Sequence, residues 1–599
     1  MLAPDSRALL LDALRPPPGC ALDRAVATTF TLDLATTLMI PLAFAGFRFA
    51  AQPDPIEMMQ SLRQMSARFD IFCQAGAIRA GAWPSDLVAL LEDVIHEARR
   101  PRPGHVFHPK VWVLRFVGES MGPSYRLLVL SRNLTADRSW DTILWLDGAV
   151  GRRMIAANRP LERFVAALPG LATTTLPSDR REAIERLAEE LRQVEWERPA
   201  GVSEVHFHPS GLRGLPPLDL HNLLAGSRRL VVSPFVRTGA LGRVFDHAPA
   251  GRRVLVSRGE ELDALPLGAL DGVEAYELDP MAGLAPEGIG DAPVPAPPSN
   301  LHAKLFLVER ARRAHLFVGS VNATDAGFNG NVEFLCEMVG SPSGLGVEAL
   351  VGADAAFRAM LKPYTPPDQP AIEDEEAGVA RELEELLFDV AQIGFRIEAT
   401  EHADGWAQWV TSDAPLPAAG SARVTLAPHN RTGEAVVLAP GAAVGLELKA
   451  REAADVTPFL QITASRAVAG QTLERSTVVC ARLIGAPASR LDEIFVRQIG
   501  TSEKFLRLLA LLLGLDAASP GTAFPVDGLA GSWAAGPDMG VLELLARALA
   551  DRPVAIDQLA SIVEHLRASP TGSSILPSGW DSVWLPAFEA RRAIAETQS

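Results

Sequence analysis

The chain of 599 residues is short of lysine: only five occur, Lys110, Lys304, Lys362, Lys449 and Lys504, because arginine serves almost everywhere a cation is wanted. Cysteine is scarce as well. Cys20, Cys73, Cys336 and Cys480 lie far apart with no Cys-x-x-Cys pair, so neither a disulfide framework nor a cysteine-based zinc site is indicated, and a reducing cytosol is the natural setting. Long hydrophobic runs are missing. The segment 34–47 has 14 residues with Pro41 inside, too short to cross a bilayer, and 505–515 is shorter and interrupted by Arg507. The opening Met-Leu-Ala-Pro-Asp-Ser-Arg lacks the basic and apolar regions of a secretory signal. No Gly-x-Ser-x-Gly elbow and no glycine-rich loop ending in Gly-Lys-Ser/Thr occurs, which argues against a hydrolase of the first kind and a P-loop nucleotide site.

The formal charge of -16 argues against general adhesion to nucleic acid or to an anionic membrane. Charge is unevenly spread, however. Between residues 99 and 138 eight cations (Arg99, Arg100, Arg102, Lys110, Arg115, Arg126, Arg132, Arg138) face only Glu119 and Asp137, a local balance of +6.

What the chain does have is one set of polar residues twice over. His108-Pro109-Lys110 is followed by Ser131-Arg132-Asn133 and Asp141; His302-Ala303-Lys304 is followed by Ser320-Val321-Asn322 and by Asn331-Val332-Glu333. Twelve histidines and five lysines would supply about 0.1 His-x-Lys tripeptides by chance, counting composition alone, whereas two occur. A site that keeps its ammonium in a chain that otherwise prefers guanidinium wants a compact point charge, as beside a reacting phosphate.

Hydrophobic patterning places both sets between strands. In the first half 28–33, 69–74, 111–114, 126–130 and 142–146 read as strands, and 34–47 and 85–99 as helices. A helical stretch at 180–197 connects to a second run of strands at 229–236, 253–257, 273–278, 304–309, 315–318 and 332–339. The glycine- and proline-rich segment 281–300, without periodicity, is a candidate lid or substrate-contacting loop, with disorder as the alternative. After a linker at 362–370 the region 393–483 reads as a small β-sandwich, with segments at 422–426, 434–438, 444–448, 460–463 and 476–483. From 488 onward the pattern is helical, clearest at 505–513 and 541–550. Four regions are expected: 1–200, 201–362, 372–486 and 487–599.

The paired sets suit phosphoryl chemistry without a cofactor or metal. A neutral imidazole can attack phosphorus, and a second, protonated one can supply the leaving oxygen with its proton. Lys110, Lys304, Asn133 and Asn322 would donate to the non-bridging oxygens, Ser131 and Ser320 could join them, and Asp141 and Glu333 would orient an imidazole. Arg132 and His105 are further candidates for substrate contact. His206-Phe207-His208 alternates like a pair of metal ligands, but no carboxylate or cysteine cluster accompanies it, so a strand with two exposed rings is expected.

These residues resemble the signature of the phospholipase D superfamily: His-x-Lys, a downstream Ser-x-Asn and a carboxylate-bearing strand, twice per active site. The resemblance covers about residues 25–345. The first copy is more similar to the nuclease and tyrosyl-DNA phosphodiesterase branches than to the lipid-cleaving enzymes. It departs from many members in carrying Arg115 and Glu309 where they place an Asp five residues after the lysine. The resemblance implies an α/β fold of two pseudo-symmetric α/β/α halves followed by the β-sandwich and helical regions, with His108 as nucleophile and His302 as general acid. The flanking architecture is similar to phospholipase D-like proteins found beside helicases in bacterial anti-phage systems. The resulting expectation is a cytoplasmic, metal-independent phosphodiesterase that cleaves DNA, with a helicase or ATPase partner on the C-terminal region and no membrane association; nothing in the sequence speaks to its oligomeric state. Phospholipid hydrolysis or transfer, and a nucleic-acid-binding adaptor role for 372–599, stay open as alternatives.

Overall fold

Runs of β-branched and large apolar residues pair into two broad mixed sheets, each buried on both faces along its central strands. The computed structural model describes residues 10–44, 61–81, 86–118, 122–136, 139–215, 218–279, 300–367, 375–468, 470–512, 545–546, 548–549, 553–568, 574–577 and 579–598.

The first sheet runs in the order Val194–Trp196, Ile143–Val150, Ser124–Leu130, Val111–Gly118, Cys20–Thr29, Phe69–Gln74, Ile95–Ala98. The second runs Val202–Ser210, Glu333–Gly340, Arg313–Gly319, Leu305–Arg310, Arg228–Val232, Arg253–Ser257, Glu274–Leu278, with Leu361–Pro363 added at the edge. In the first, only the pairs joining Cys20–Thr29 to Phe69–Gln74 and the latter to Ile95–Ala98 are parallel. In the second, only Arg228–Val232 with Arg253–Ser257 and the latter with Glu274–Leu278 are parallel. The order of pairing senses is therefore the same in both sheets.

Two short backbone contacts join the sheets. Asn300–Leu301 pairs in parallel with Ser139–Trp140, and Phe107 bridges to Val332. Beneath them one apolar core draws on both, with Phe334 against Phe164 of the first half (5.0 Å between centroids) and against Phe207 (6.2 Å).

Some expected elements differ. The helix expected at 34–47 is two short ones, Leu34–Leu38 and Ile40–Phe44, separated at Met39 just before Pro41, and residues beyond 44 lie outside the described segments. The helix expected at 85–99 is a 3-10 turn, Asp86–Leu91, and then the strand Ile95–Ala98. That strand is wholly buried beside Phe69–Gln74, so tertiary pairing outweighs local helix propensity. The stretch 180–197 splits into the helix Ser178–Leu191 and the edge strand Val194–Trp196.

The C-terminal region forms two smaller sheets. One holds Arg423–Pro428, Val436–Val437, Phe459–Val468 and Gln471–Cys480, and takes in Leu32–Asp33 and Ile78–Arg79 from the first half. The other holds Gly445–Ala450, Gly405–Ser412, Phe395–His402 and Arg482–Ile484. Its hairpin 395–412 was not anticipated, because Phe395–His402 alternates apolar residues with exposed polar ones and Gly405–Ser412 is mostly half-buried, without a strong apolar run. Helix Glu375–Ala391 buries Leu383, Leu386, Leu387 and Val390 in the core between these sheets, and Arg100 of the first half donates to its Glu385 (3.0 Å) and Asp389. Helices Arg490–Ile499, Ser502–Leu512, Pro553–Ala568 and Trp580–Gln598 follow. The segments expected at 541–550 and 281–300 lie mostly outside the described residues. Among the described residues no helix is long and apolar enough to cross a membrane.

Candidate active site

Each His-x-Lys tripeptide stands where a central strand begins: His108 before Val111–Gly118 and His302 before Leu305–Arg310. The apolar residues that follow run into the core and anchor the polar ones at its lip. Lys110 Nζ donates to the His108 carbonyl and Lys304 Nζ to the His302 carbonyl, both at 2.8 Å. Both lysines are almost completely enclosed, 1% and 0% exposed.

The two halves exchange partners. Because Phe107 bridges to Val332 and the His108 amide donates to the Val332 carbonyl (2.8 Å), the next side chains along, His108 and Glu333, meet across the junction. His108 Nδ1 lies 2.9 Å from Glu333 Oε2, Asn331 Nδ2 donates to Oε1 at 3.1 Å, and the Ser320 hydroxyl donates to Oε2. On the other side the His302 amide donates to the Trp140 carbonyl at 2.8 Å, which sets it next to Asp141, whose carboxylate is 3.4 Å from Arg132 Nη1. Lys304 Nζ also reaches the carbonyl of Ser131 in the opposite half, at 3.3 Å.

The charges of both tripeptides act on each histidine. Burial pushes His108 down to about 4, against the pull of Glu333, with Lys110 and Lys304 pushing the same way as burial. His302 is driven far below the usual imidazole range by burial first, then by Lys304, Lys110 and His108. Lys110 falls to about 7 through burial, with Glu333 opposing, and Lys304 is held well below its ordinary value by burial and by Lys110. Two buried cations therefore crowd around one buried carboxylate, an environment that an incoming anion would relieve.

The hydrogen bonds also set which ring nitrogen faces the open side. With Glu333 accepting at Nδ1, His108 carries its proton there and leaves Nε2 with a lone pair. His302 Nδ1 lies 3.3 Å from Lys304 Nζ; an ammonium has donors only, so Nδ1 accepts and the ring proton sits on Nε2. His108 thus presents a lone pair, whereas His302, neutral with its lone pair on Nδ1, has to take up a second proton before it can serve as an acid.

The remaining expected residues divide. Asn133 and Asn322 each bury an amide oxygen with no protein partner; an oxygen only accepts, so it is the Nδ2–H groups of these side chains that would have to meet a phosphate oxygen. Ser131 and Ser320, expected to touch substrate, are instead spent on the protein: Ser131 Oγ accepts from the Thr142 amide (2.8 Å) and Ser320 Oγ from the Phe334 amide (3.0 Å). Arg132 donates to the Thr135 carbonyl (2.7 Å) besides facing Asp141. His105 sits at the rim, held by Arg102 Nε at 3.2 Å and packed so closely on Gly330 that a Cβ there would fall 1.5 Å from its ring.

The His206 to His208 stretch lies in the strand Val202–Ser210, as expected, but both rings are half-buried, not exposed. His208 Nε2 is 2.8 Å from Glu337, which also lies 2.7 Å from His315 Nδ1; the carboxylate comes from a neighbouring strand, which sequence spacing cannot reveal. Among the described residues no group of three or more His, Cys, Asp or Glu is placed to hold a metal ion.

Neither a protein-family model nor a curated protein matches the chain. Among solved structures it is similar to a mutant yeast tyrosyl-DNA phosphodiesterase (12% identity over 55% of this chain and 84% of that one, TM-score 0.34). It is likewise similar to a phosphatidylserine synthase of Haemophilus influenzae (12% identity, 59% of this chain and 84% of that one, TM-score 0.33). A polyphosphate kinase of Porphyromonas gingivalis matches at 12% identity over 55% of this chain and 42% of that one, with a TM-score of 0.29.

Three residues at the site were missed from sequence, and a fourth, Asn331, was noted beside Glu333 but given no role. Asn331 precedes Glu333 by two and so shares its face of the extended chain, a signal that was present. Phe30 lies 5.3 Å from the His108 ring and 5.9 Å from Lys110 Nζ. Gln74 accepts from the Phe107 amide (2.7 Å) and Arg258 donates to the Leu301 carbonyl (2.9 Å), each steadying the residue before a histidine. For these three no local pattern exists, since each follows an ordinary apolar strand.

Proposed function

We propose that this protein is a metal-independent phosphodiesterase that cleaves DNA through a phosphohistidine on His108, with His302 as the general acid. The observation that carries the reading is the exchange across the junction: Glu333 of the second half orients His108 of the first, while Lys304 of the second half holds His302 and touches Ser131 of the first. His108 Nε2 attacks phosphorus as the bond to the leaving oxygen breaks, and His302, made an imidazolium by a proton taken up with the anionic substrate, gives that oxygen its Nε2 proton. Water, deprotonated by the now basic His302, then displaces His108 and releases the phosphate product. Lys110, Lys304, Asn133 and Asn322 stabilise the charge that gathers on the non-bridging oxygens. Two buried ammonium groups supply the positive charge that this requires.

DNA as substrate is favoured by the local excess of basic residues between 99 and 138. A place in anti-phage defence, and a helicase or ATPase partner on the C-terminal region, rest on the resemblance alone. Incubation with single- and double-stranded DNA in EDTA tests the proposal. Cleavage that persists in the chelator is expected; no cleavage, or cleavage only with added Mg²⁺, overturns it.

A further inference from the structure

The mouth of the site is built differently on its two sides although the backbone is the same. In the first half the Thr29 hydroxyl donates to the Thr31 carbonyl (2.8 Å) and accepts from the Leu134 amide (3.0 Å), the residue after Asn133. In the second half the Ser233 hydroxyl donates to the Phe235 carbonyl (2.7 Å) and accepts from the Ala323 amide (3.0 Å), the residue after Asn322. Phe235 thus occupies the position of Thr31. Thr31 is 6% exposed, and its neighbour Phe30 packs under Phe388 of helix Glu375–Ala391, at 6.0 Å. Phe235 is 36% exposed, and no aromatic ring covers it among the described contacts.

A guanidinium lies over that exposed ring. Arg258 Cζ is 4.8 Å from the Phe235 centroid, and Arg258 Nε is tied to the carbonyl of Leu301, the residue before His302. A flat aromatic face and a flat cation, one of them fixed to the strand that carries the general acid, make a rigid surface beside the place where the leaving oxygen would emerge. Such a pair offers a nucleobase a π-face and a cationic plane, with no hydrogen-bond pattern to choose among bases. The apolar ring alone would serve a lipid chain equally well, but a charge stacked on its face would not.

We infer that Phe235 and Arg258 form a stacking platform for an unpaired nucleobase next to the scissile phosphate, on the leaving-group side, so that the substrate is a single strand there. This rests on the phosphodiesterase reading and specifies its substrate. On the first-half side the matching position is Thr31, buried and without a ring, so the platform is one-sided and gives the bound strand a direction.

The test compares two single-stranded oligonucleotides, identical except that one lacks the base on the leaving-group side of the scissile phosphate. Affinity is measured by fluorescence anisotropy with the full chain in the His108→Ala background, where the strand is bound and not cut. The base-bearing strand is expected to bind more tightly, and Phe235→Ala should weaken it by about 5- to 150-fold while the abasic strand changes by much less. Phe235→Trp should keep the preference, and Phe235→Leu, which retains apolar bulk without a ring face, should lose it. Equal weakening of both strands by Phe235→Ala, or full preference in Phe235→Leu, overturns the platform. So does loss of binding to phosphatidylglycerol vesicles in Phe235→Ala with strand binding intact, which would assign the ring to a lipid. Failure of the phosphodiesterase reading shows separately, as absence of strand cleavage by the unaltered protein.

Discussion

Glu333→Gln isolates the charge that the second half lends to the first. The carboxylate is fully buried and makes contact with His108 Nδ1 (2.9 Å), Ser320 Oγ and Asn331 Nδ2 (3.1 Å). Glutamine can keep its oxygen where His108 and Ser320 share Oε2, but its amide then faces the Asn331 Nδ2 donor, which has to turn away; the loss in stability should stay within about 1–3 kcal/mol. What disappears is the negative charge facing the imidazole as it becomes cationic during attack. Two unit charges about 4 Å apart at an effective dielectric near 20 interact by about 4 kcal/mol, which corresponds to about 10³-fold in rate. Single-turnover cleavage of a labelled oligonucleotide, with a thermal melt as the folding control, should show kcat reduced by about that factor with KM little altered. A loss below about tenfold in a protein that melts normally would refute the assignment of Glu333 as the partner of a charged His108.

Four further outcomes follow from the same geometry. His108→Ala and His302→Ala should each lower turnover by several orders of magnitude and the double variant scarcely further, since the two act as a unit; multiplicative losses in rapid-quench assays would argue for independent roles. Lys110→Arg should cost about 10²-fold in kcat/KM, because a guanidinium fork neither fits the enclosed slot nor mimics a point charge, and full activity would remove the rationale for lysine there. The pH profile of kcat/KM should fall through neutrality, because His302 has to take up a proton to act as acid and Lys110 loses its own near 7, whereas in kcat the fall should move to higher pH because bound phosphate favours both cations; a flat profile across neutrality would contradict this. Away from the site, burial raises Glu97 to about 7 where it accepts from the Cys480 amide at 2.8 Å, so folding takes up a proton and stability should decline as pH rises from about 4.5 through 7. Chemical denaturation of Glu97→Gln should show a flatter dependence over that window.

Many strands and both tripeptides were legible because they depend on local signals. Strand 69–74 is a run of apolar residues with its own boundaries, and 253–257 likewise; both appear as read. His108 and His302 stood out through lysine scarcity and repetition, which need no tertiary knowledge. The crossing of Glu333 to His108 was not legible, since it depends on a single bridge between Phe107 and Val332, 225 residues apart in sequence for the hydrogen-bonded pair. The strand at 95–98 was mistaken for helix because its burial comes from neighbours rather than from periodicity. Leu32–Asp33 and Ile78–Arg79 gave no hint that they enter a sheet with 423–480, because two-residue strands carry no pattern. Ser131 and Ser320 were read as substrate donors since a hydroxyl beside a catalytic amide suggests it; here the Ser320 hydroxyl donates to Glu333 and the Ser131 hydroxyl faces the Thr142 carbonyl.

The measurement that bears most directly on a shared reaction centre is recovery of the covalent intermediate. His302→Asn protein, mixed with a DNA strand labelled at the scissile phosphate and quenched in alkali to preserve a phosphoramidate, should carry the label on His108 by peptide mass spectrometry. Label on a serine or carboxylate, or none in either histidine variant while the unaltered protein still cuts, would contradict attack by one imidazole on a phosphorus that the other serves.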